Sequence, residues 1–499
     1  MRFIKKEWFQ ITFLLILFLT LLYTPFIIRT LQNPPDRYYT GADKFYPDYY
    51  SILSIMNFGS SGTLYPVHVE YQVLGKISSA LNIPNYISYH LAKIIVSALI
   101  FLSLYKLAFL LKFNKPARLL MMISGLFLNA PPIILHNSRP PDMFNLYTQS
   151  MHHELGILLT ILLLIFYLQK KYLFLLITAL ILGITHTVSA ILVAMSVFLY
   201  ALIFHKSLPA RLNTLVFGVV LLSPLVFYKI IFTLDPALSE VGTNFESAFA
   251  DYDLSITSPQ MFFSYLFYLS PFIILSLPVI LKKKMFASQT QKTAFFLALF
   301  YILADIFMYI IGFYFLKIGR ARFSLTALPI AFAIIISLRN HPPSRWNSFT
   351  PLLLLIFSLP TWFLSVQKDA FLFGKAPYFN EFVYPDRQYM EGFFHLKTLP
   401  PGKTLALDYS GNFLTSFGEK ESYLNSRFYT TNYEEKLIKG TSFFEGKMPP
   451  KEAEEFLKAE KITYVYLGLY ERRPNFDISS YNFLTKIFTN PKASIFKTK

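Results

Sequence analysis

The residues of this 499-residue chain with the most capacity for chemistry are a few carboxylates, histidines and arginines set in an apolar sequence. Asp43, Lys44 and Asp48 stand in the run that begins Thr40-Gly-Ala-Asp43; Asp142 ends Arg139-Pro-Pro-Asp142; and His152, His153 and Glu154 are consecutive. His186 closes Gly183-Ile-Thr-His186, and Arg320 and Arg322 lie in Gly319-Arg-Ala-Arg-Phe323. A carboxylate can take a proton from an attacking group. A planar guanidinium pairs with phosphate through two parallel hydrogen bonds, which suits Arg320 or Arg322 to an anion. Asp142, Glu154 and His153, with His152 beside them, offer the oxygen and imidazole donors that a divalent metal ion takes. The chain has no Cys, which excludes disulfides, thiolate zinc sites, iron–sulfur clusters and cysteine nucleophiles.

Each of these residues also has a purely structural use. Asp43 suits an Asx turn or helix cap ahead of Tyr46-Pro47, and Asp48 suits the N-cap of the helix that follows. Arginines at a membrane surface reach for lipid headgroups, Asp142 and Glu154 can be solvated or paired with Arg139, and His186 can be a buried hydrogen-bonding histidine. Asp305, in Ile302-Leu-Ala-Asp-Ile-Phe, sits where a charge is costly, so it is functional, protonated, or paired with Lys106 or Lys229.

The elements that position these groups are membrane spans. Charged residues make up 15% of the chain and hydrophobic ones 54%, with a mean hydropathy of +0.44, which excludes an ordinary soluble enzyme. Runs near the roughly 20 residues that cross a bilayer lie around 9–29, 91–111, 118–135, 212–233, 261–281, 293–316, 323–338 and 349–366, with a shorter one at 155–169. The stretch from Tyr172 to Phe204 is basic at both ends and too long for one span, so it reads as two short helices turning near Thr185-His186-Thr187. The expected total is about eleven transmembrane helices. The first run lacks a small-residue cleavage site and should stay as an anchor.

The net charge of +17 does not point to nucleic acid, because most of the surplus lies in short loops between spans. Lys112, Lys115 and Arg118, then Lys170 and Lys171, Lys206 and Arg211, Lys282 to Lys284, and Arg339 and Arg345 mark alternate connections, which places the N-terminus and these loops in the cytoplasm. Of the 13 acidic residues before residue 367, all but Glu7 and Asp305 fall in the opposite loops. The exterior loop at 30–90 is rich in Tyr, Phe and Ile, and its helical spacing from Pro47 and again through Val67 to Ile77 predicts amphipathic helices at the interface. The reading is therefore a transmembrane domain over 1–366 that includes this loop, and a C-terminal extracytoplasmic α/β domain over 367–499. In the latter, Thr404 to Asp408 and Ile462 to Leu467 read as strands, Pro450 to Lys461 as a helix, and Asn482 to Phe488 and Ser494 to Lys497 as a last helix and strand.

An aromatic exterior loop with a carboxylate, many spans and an exterior α/β domain resembles the polytopic glycosyltransferases of the GT-C fold. The residues that carry the resemblance are Thr40-Gly-Ala-Asp43, Arg139-Pro-Pro-Asp142, His152-His-Glu154, Gly183-Ile-Thr-His186, Gly319-Arg-Ala-Arg-Phe323 and the helix and strand from Ala453 to Gly468. The resemblance implies an integral membrane transferase that moves a sugar from a polyprenyl-phosphate-linked donor to a cell-envelope acceptor on the outer side of the plasma membrane. It implies that Asp43 is the base, with Asp48 as the less well matched carboxylate. Arg320 or Arg322 then clamps the lipid phosphate, Lys44 and His186 bind substrate, and a divalent metal ion falls to Asp142, Glu154 and His153. The adjacent acidic pair of some relatives is missing here. Two other classes stay open: a transporter or flippase for lipid-linked saccharide, and a non-catalytic envelope protein whose outer domain binds a partner.

Overall fold

The computed structural model describes residues 2–42, 46–58, 68–128, 150–236, 239, 258–281, 286–316, 322–323, 326–338, 349–367, 381–427, 430–474 and 476–499. The chain forms two compact units, one of residues 1–25, 91–230 and 246–370, the other of residues 26–90, 231–245 and 371–499.

The first unit is helical. It contains most of α1 (Arg2–Leu31) and α4 (Asn85–Leu110), with α2 (Tyr46–Phe58) and α3 (Val69–Ala80) belonging to the second unit. There follow α5 (Lys115–Leu126), α6 (Met151–Leu168), α7 (Tyr172–Thr185), α8 (Thr187–Phe204), α9 (Leu208–Leu234), α10 (Ser258–Ile280), α11 (Gln289–Leu316), α12 (Leu328–Ser337) and α13 (Thr350–Gln367). The protein is a polytopic helical membrane protein, but the expected eleven crossings are not found among the described residues. Six helices are long and apolar enough to cross: Glu7–Leu31, Asn85–Leu110, Met151–Leu168, Thr187–Phe204, Arg211–Ile231 and Gln289–Ile311. Four apolar helices, Tyr172–Thr185, Leu269–Ile280, Leu328–Ser337 and Thr350–Phe363, are shorter than a span. At 1.5 Å per residue the 10 residues of α12 rise only about 15 Å against a hydrocarbon core of about 30 Å, so an apolar run alone overcounts crossings.

Every residue of α12 is buried, as an all-round apolar helix requires, and it packs on α5, α10 and α11. Polar side chains tie neighbouring helices where lipid offers no water. Ser196 Oγ on α8 donates to the Leu297 carbonyl on α11 at 2.7 Å, Tyr200 meets Thr293 at 3.0 Å, and Trp362 Nε1 donates to the Phe127 carbonyl at 3.0 Å. Glu7, one of the two acidic residues outside the expected exterior set, accepts from Arg118 Nη2 at 2.6 Å and from the Tyr105 hydroxyl at 3.1 Å. The turn expected near residue 186 is present: α7 ends at Thr185, α8 starts at Thr187, and His186 breaks the helix with φ −146° and ψ 80°.

The second unit joins residues 26–90 to the tail. After α14 (Arg387–Thr398) come β1 (Lys403–Leu405), α15 (Asp408–Phe417), β2 (Glu421–Ser422), α16 (Tyr433–Phe444), α17 (Pro450–Ala459), β3 (Ile462–Leu467), β4 (Leu484–Thr489) and β5 (Ser494–Thr498). The sheet order is β2-β1-β3-β5-β4, parallel across β2, β1 and β3 and antiparallel across β3, β5 and β4. Its core gathers Leu405, Tyr423, Phe443, Leu457, Val465 and Phe496. The tail helix at Pro450 and the strand at Ile462 are where the sequence places them. The helix expected over Asn482 to Phe488 is instead β4, because the Asn490 amide donates to the Ala493 carbonyl at 2.8 Å and closes a hairpin that pairs Thr485 with Lys497 and Phe488 with Ile495.

Residues 34–42 and α2, which the sequence assigns to the membrane portion, pack against the residues after 381. The Tyr38 amide donates to the Pro385 carbonyl at 2.9 Å and the Thr40 amide to the Val383 carbonyl at 3.1 Å. Ser416 Oγ on α15 donates to the Tyr50 carbonyl at 3.0 Å, and Asn57 Nδ2 to the Thr415 carbonyl at 2.7 Å. Tyr49 through Met56 are all buried, so α2 does not present the half-exposed face of an interfacial helix. It also begins at Tyr46, which puts Asp48 inside the first turn and not at an N-cap.

Candidate functional site

Asp43, Lys44, Asp142 and Arg320 lie outside the described residues, and of Asp48 only the backbone is described. His153, Glu154, His186 and Arg322 are described, all in the helical unit.

His186 and His153, assigned from sequence to separate roles, are in contact. Nδ1 of His153 lies 2.9 Å from Nε2 of His186, and Nδ1 of His186 faces Ser189 Oγ at 2.8 Å and accepts from the Ser189 amide at 3.2 Å. The last bond is an N-cap on α8, so the break in the chain and the orientation of the ring have one cause. Gly156 on α6 makes room for the ring: a Cβ there would lie 2.7 Å from Cγ of His186. The His152 ring lies against that of His153, with centroids 4.0 Å apart and the planes tilted by 42°. Glu154 is fully buried; its Oε2 accepts from Ser97 Oγ at 2.7 Å, and its Oε1 lies 3.9 Å from Lys93 Nζ. This carboxylate forms an internal ion pair of the kind that must be matched when buried.

A second polar cluster lies on α11, where the Tyr301 hydroxyl accepts from the Ala327 amide at 3.2 Å. One turn further along α11, Asp305 is fully buried and accepts from the Tyr265 hydroxyl at 2.5 Å and from Thr326 Oγ1 at 2.8 Å. The expected partners Lys106 and Lys229 are replaced by these two hydroxyls. Thr326 Oγ1 lies also 3.2 Å from the Phe323 carbonyl. The segment entering α12 is therefore pinned at Phe323, Thr326 and Ala327, and half-buried Arg322 is the residue next to the first pin. An apolar cavity of about 70 Å³ is lined by Tyr301, Ala327, Ser196, Thr160 and Tyr167 among aliphatic side chains.

In the second unit the approach to Asp43 is held residue by residue. Tyr49 donates to the Thr40 carbonyl at 3.1 Å, His90 Nε2 meets the Gly41 carbonyl at 3.0 Å, and Arg29 Nη1 donates to the Ala42 carbonyl at 3.2 Å. Gly41 has φ +79°, a conformation that a side chain strains, and a Cβ there would come within 3.0 Å of the Tyr49 hydroxyl. Sequence reasoning missed Arg29 and His90. Arg29 carried a signal, being a basic residue near the C-terminal end of the first apolar run, the end expected to be exterior.

The same unit also contains donors for a metal ion that the sequence did not nominate. His68 Nδ1 and Glu70 Oε1 are 2.9 Å apart, and Glu70 Oε2 is buried with no hydrogen-bond partner among the described residues. The two set an imidazole nitrogen beside a carboxylate. An imidazole nitrogen with carboxylate oxygens suits a borderline or hard divalent cation.

No family model matches the chain, and no curated protein matches it in sequence. Among solved structures, the arabinofuranosyltransferase AftD from Mycobacteria aligns over 98% of this chain and 40% of its own length, at 11% identity and a TM-score of 0.50. The oligosaccharyltransferase of Archaeoglobus fulgidus, tethered with an acceptor peptide, aligns over 100% of this chain and 75% of its own, at 11% identity and a TM-score of 0.48. Its complex with Zn and sulfate aligns over 90% and 68%, at 11% identity and 0.45. The chain spans less than half the length of AftD. The likeness to AftD shows a shared fold alone.

Proposed function

We propose that the protein is an integral membrane glycosyltransferase that moves a sugar from a polyprenyl-phosphate-linked donor to a cell-envelope acceptor, with its tail domain on the outer side and its N-terminus in the cytoplasm. The observation that carries the reading is the apolar cavity lined by Tyr301 and Ala327, in the same helical unit as the His153–His186 pair and Arg322. A hydrocarbon tail suits the cavity, and a phosphate suits the cation. The fold of an arabinofuranosyltransferase supports the class, and sugar donors made inside the cell must be carried on lipid to serve a reaction outside it.

In this reading the acceptor hydroxyl oxygen attacks C1 of the sugar, its proton passes to the Asp43 carboxylate, and the bond from C1 to the phosphate oxygen breaks with its electron pair leaving on the phosphate. Arg320 or Arg322 neutralises that charge. Asp48 is the second carboxylate candidate, and Lys44 and His186 take part in substrate binding. The bonds made by Arg29, His90 and Tyr49 to residues 40–42 fix the chain that carries the base. His68 and Glu70 would hold a divalent ion, and the sequence assigns Asp142, Glu154 and His153 to the same duty. Once bound, such an ion supplies positive charge to a phosphate.

The test is sugar transfer by the Asp43→Asn protein in membranes loaded with polyprenyl-phosphate sugars. Transfer should be lost with little change in expression, a fall of about 100-fold or more for removal of a general base. Full activity in that variant would sink the assignment.

A further inference from the structure

Helix α3 keeps its β-branched residues outside, the reverse of a helix on a water-soluble surface. Its packed face is Tyr71, Gly75 and Ser78, and its open face is Val69, Val73, Lys76, Ile77 and Ala80. Packing accounts for the first face. A Cβ on Gly75 would lie 2.1 Å from the Met56 carbonyl oxygen of α2, so glycine is what lets the two helices approach, and Ser78 Oγ donates to the Leu74 carbonyl of its own helix at 2.8 Å. Water does not account for the second. Val69, Val73 and Ile77 recur every four residues, one above another, and are 41%, 50% and 49% exposed. Lys76 is the only charged residue on that face, and its long apolar stem lets the ammonium reach away from a buried stripe.

The stripe continues past the helix. Exposed Leu81 follows it in a turn closed by the Ile83 amide on the Ser78 carbonyl at 3.0 Å, and exposed Tyr86 and Ile87 begin α4. From Ile77 to Leu91 the chain carries no Asp, Glu, Lys or Arg. Helix α4 is long and apolar enough to cross a membrane, and its exposed Leu91, Ile95 and Leu99 extend the line that starts at Ile87. An open apolar face that runs on into the open face of a span meets the same solvent as the span, which is lipid.

We propose that α3 is a membrane-surface foot, whose Val69, Val73 and Ile77 stripe enters the lipid layer at the N-terminal end of α4. The foot is tied to what it carries. Tyr71 packs on Tyr89 and Tyr89 on Tyr49, with ring centroids 6.3 and 5.5 Å apart, and Tyr49 donates to the Thr40 carbonyl at 3.1 Å, so the bilayer sets the depth of residues 40–42. Asn57 near the end of α2 donates to the Thr415 carbonyl at 2.7 Å, so α15 of the tail rests on the same support. This surface goes beyond the transferase reading and stands without it.

The chain has no Cys, so one introduced cysteine carries a spin label at a single place. Val73→Cys and Ile77→Cys are made in the full chain, with Ile438→Cys on α16 as the control, an exposed apolar residue among charged neighbours. Each is labelled in phosphatidylcholine nanodiscs. Collision rates with oxygen, which concentrates in lipid, and with a neutral water-soluble nickel chelate give the depth. The labels on α3 should lie about 5 to 10 Å below the headgroup boundary and the one on α16 in water. In the wild type, a phospholipid with a diazirine in its acyl chain should mark residues 69–81 as it marks α4, a readout that needs no variant to fold. Nickel collisions at Val73→Cys and Ile77→Cys equal to those at Ile438→Cys, or a wild type marked on α4 and unmarked on α3, would overturn the proposal. Protection of the α3 labels from oxygen and nickel alike would mean that protein covers the stripe, with dipolar coupling between labels identifying a second copy, and that result overturns it too. No readout depends on sugar transfer, so failure of the transferase reading and failure of this inference are separate results.

Discussion

Asp305 in the helical unit and Glu471 in the tail unit are both fully buried carboxylates, and they are satisfied in opposite ways. Asp305 accepts from two hydroxyls, those of Tyr265 and Thr326. Glu471 accepts from two backbone amides, of Leu407 at 3.0 Å on one oxygen and of Gly468 at 3.1 Å on the other. A hydroxyl can turn and accept where it had donated; a backbone amide cannot. The tail therefore uses a carboxylate as a fixed staple between β1 and the end of β3. The membrane unit uses one as the hub of a network that other acceptors can take over, next to a segment that the proposed chemistry needs in place.

The largest effect should come from emptying the membrane hub. Asp305→Ala takes the acceptor from the buried Tyr265 hydroxyl, while Thr326 Oγ1 keeps the Phe323 carbonyl, and it leaves a cavity where the carboxyl stood. A loss of about 1 to 3 kcal/mol is expected, read as a lowered midpoint of thermal inactivation for the full chain in detergent. Asp305→Asn should cost under about 1 kcal/mol, because the amide oxygen keeps one hydroxyl and Thr326 Oγ1 has the Phe323 carbonyl at 3.2 Å as a second acceptor. If Asn proves as damaging as Ala, the site needs a charge and the contrast with Glu471 is drawn in the wrong place.

The tail staple should show itself through pH. Burial pushes Glu471 up from 4.5 to about 7, against the lowering effect of its hydrogen bonds. The folded state therefore holds its proton more tightly than the unfolded state does. Its contribution is present in full below pH 4.5 and is lost as pH rises through about 7, a change of about 3 kcal/mol for that shift. Hydrogen exchange of β3 in the full chain, corrected for intrinsic rates, should lose up to about 100-fold in protection between pH 5 and pH 8. Glu471→Gln should remove that slope and lower protection at pH 5, since its amide must face the Leu407 or the Gly468 N–H. An unchanged slope in the variant would assign the pH response to other groups.

How much of this was legible beforehand follows the same division between local and distant causes. The break at His186, the helix from Pro450 and the strand from Ile462 are set by neighbours in the chain, and the residues announce them. The contact of His153 with His186 depends on α6 packing against the start of α8 across Gly156, and no spacing rule carries that. The same holds for Arg29, His90 and Tyr49, which gather on residues 40–42 from three different elements. Span counting failed for a simpler reason. Apolar composition marks what is buried, and α12 is buried by protein over too short a length to cross a bilayer. The β4 hairpin was missed because the pairing of its register with β5 decides the strand, while the local pattern of Asn482 to Phe488 reads equally as a helix.

The smallest effect tests the other end of the comparison, a carboxylate with no burial to give it weight. Glu454 on α17 holds Lys458 at 2.5 Å in the helical i, i+4 geometry, with side chains 40% and 68% exposed. Solvent screens such a pair, and ordering two long side chains consumes much of the attraction, so Glu454→Ala should change stability by no more than about 0.5 kcal/mol and less in high salt. The bond is shorter than any made by Glu471, and the predicted effect is several times smaller. Hydrogen exchange of α17 in the variant, at low and high salt, measures it directly. A loss near that of Glu471→Gln would mean that hydrogen-bond length ranks these carboxylates better than burial and the reversibility of their partners.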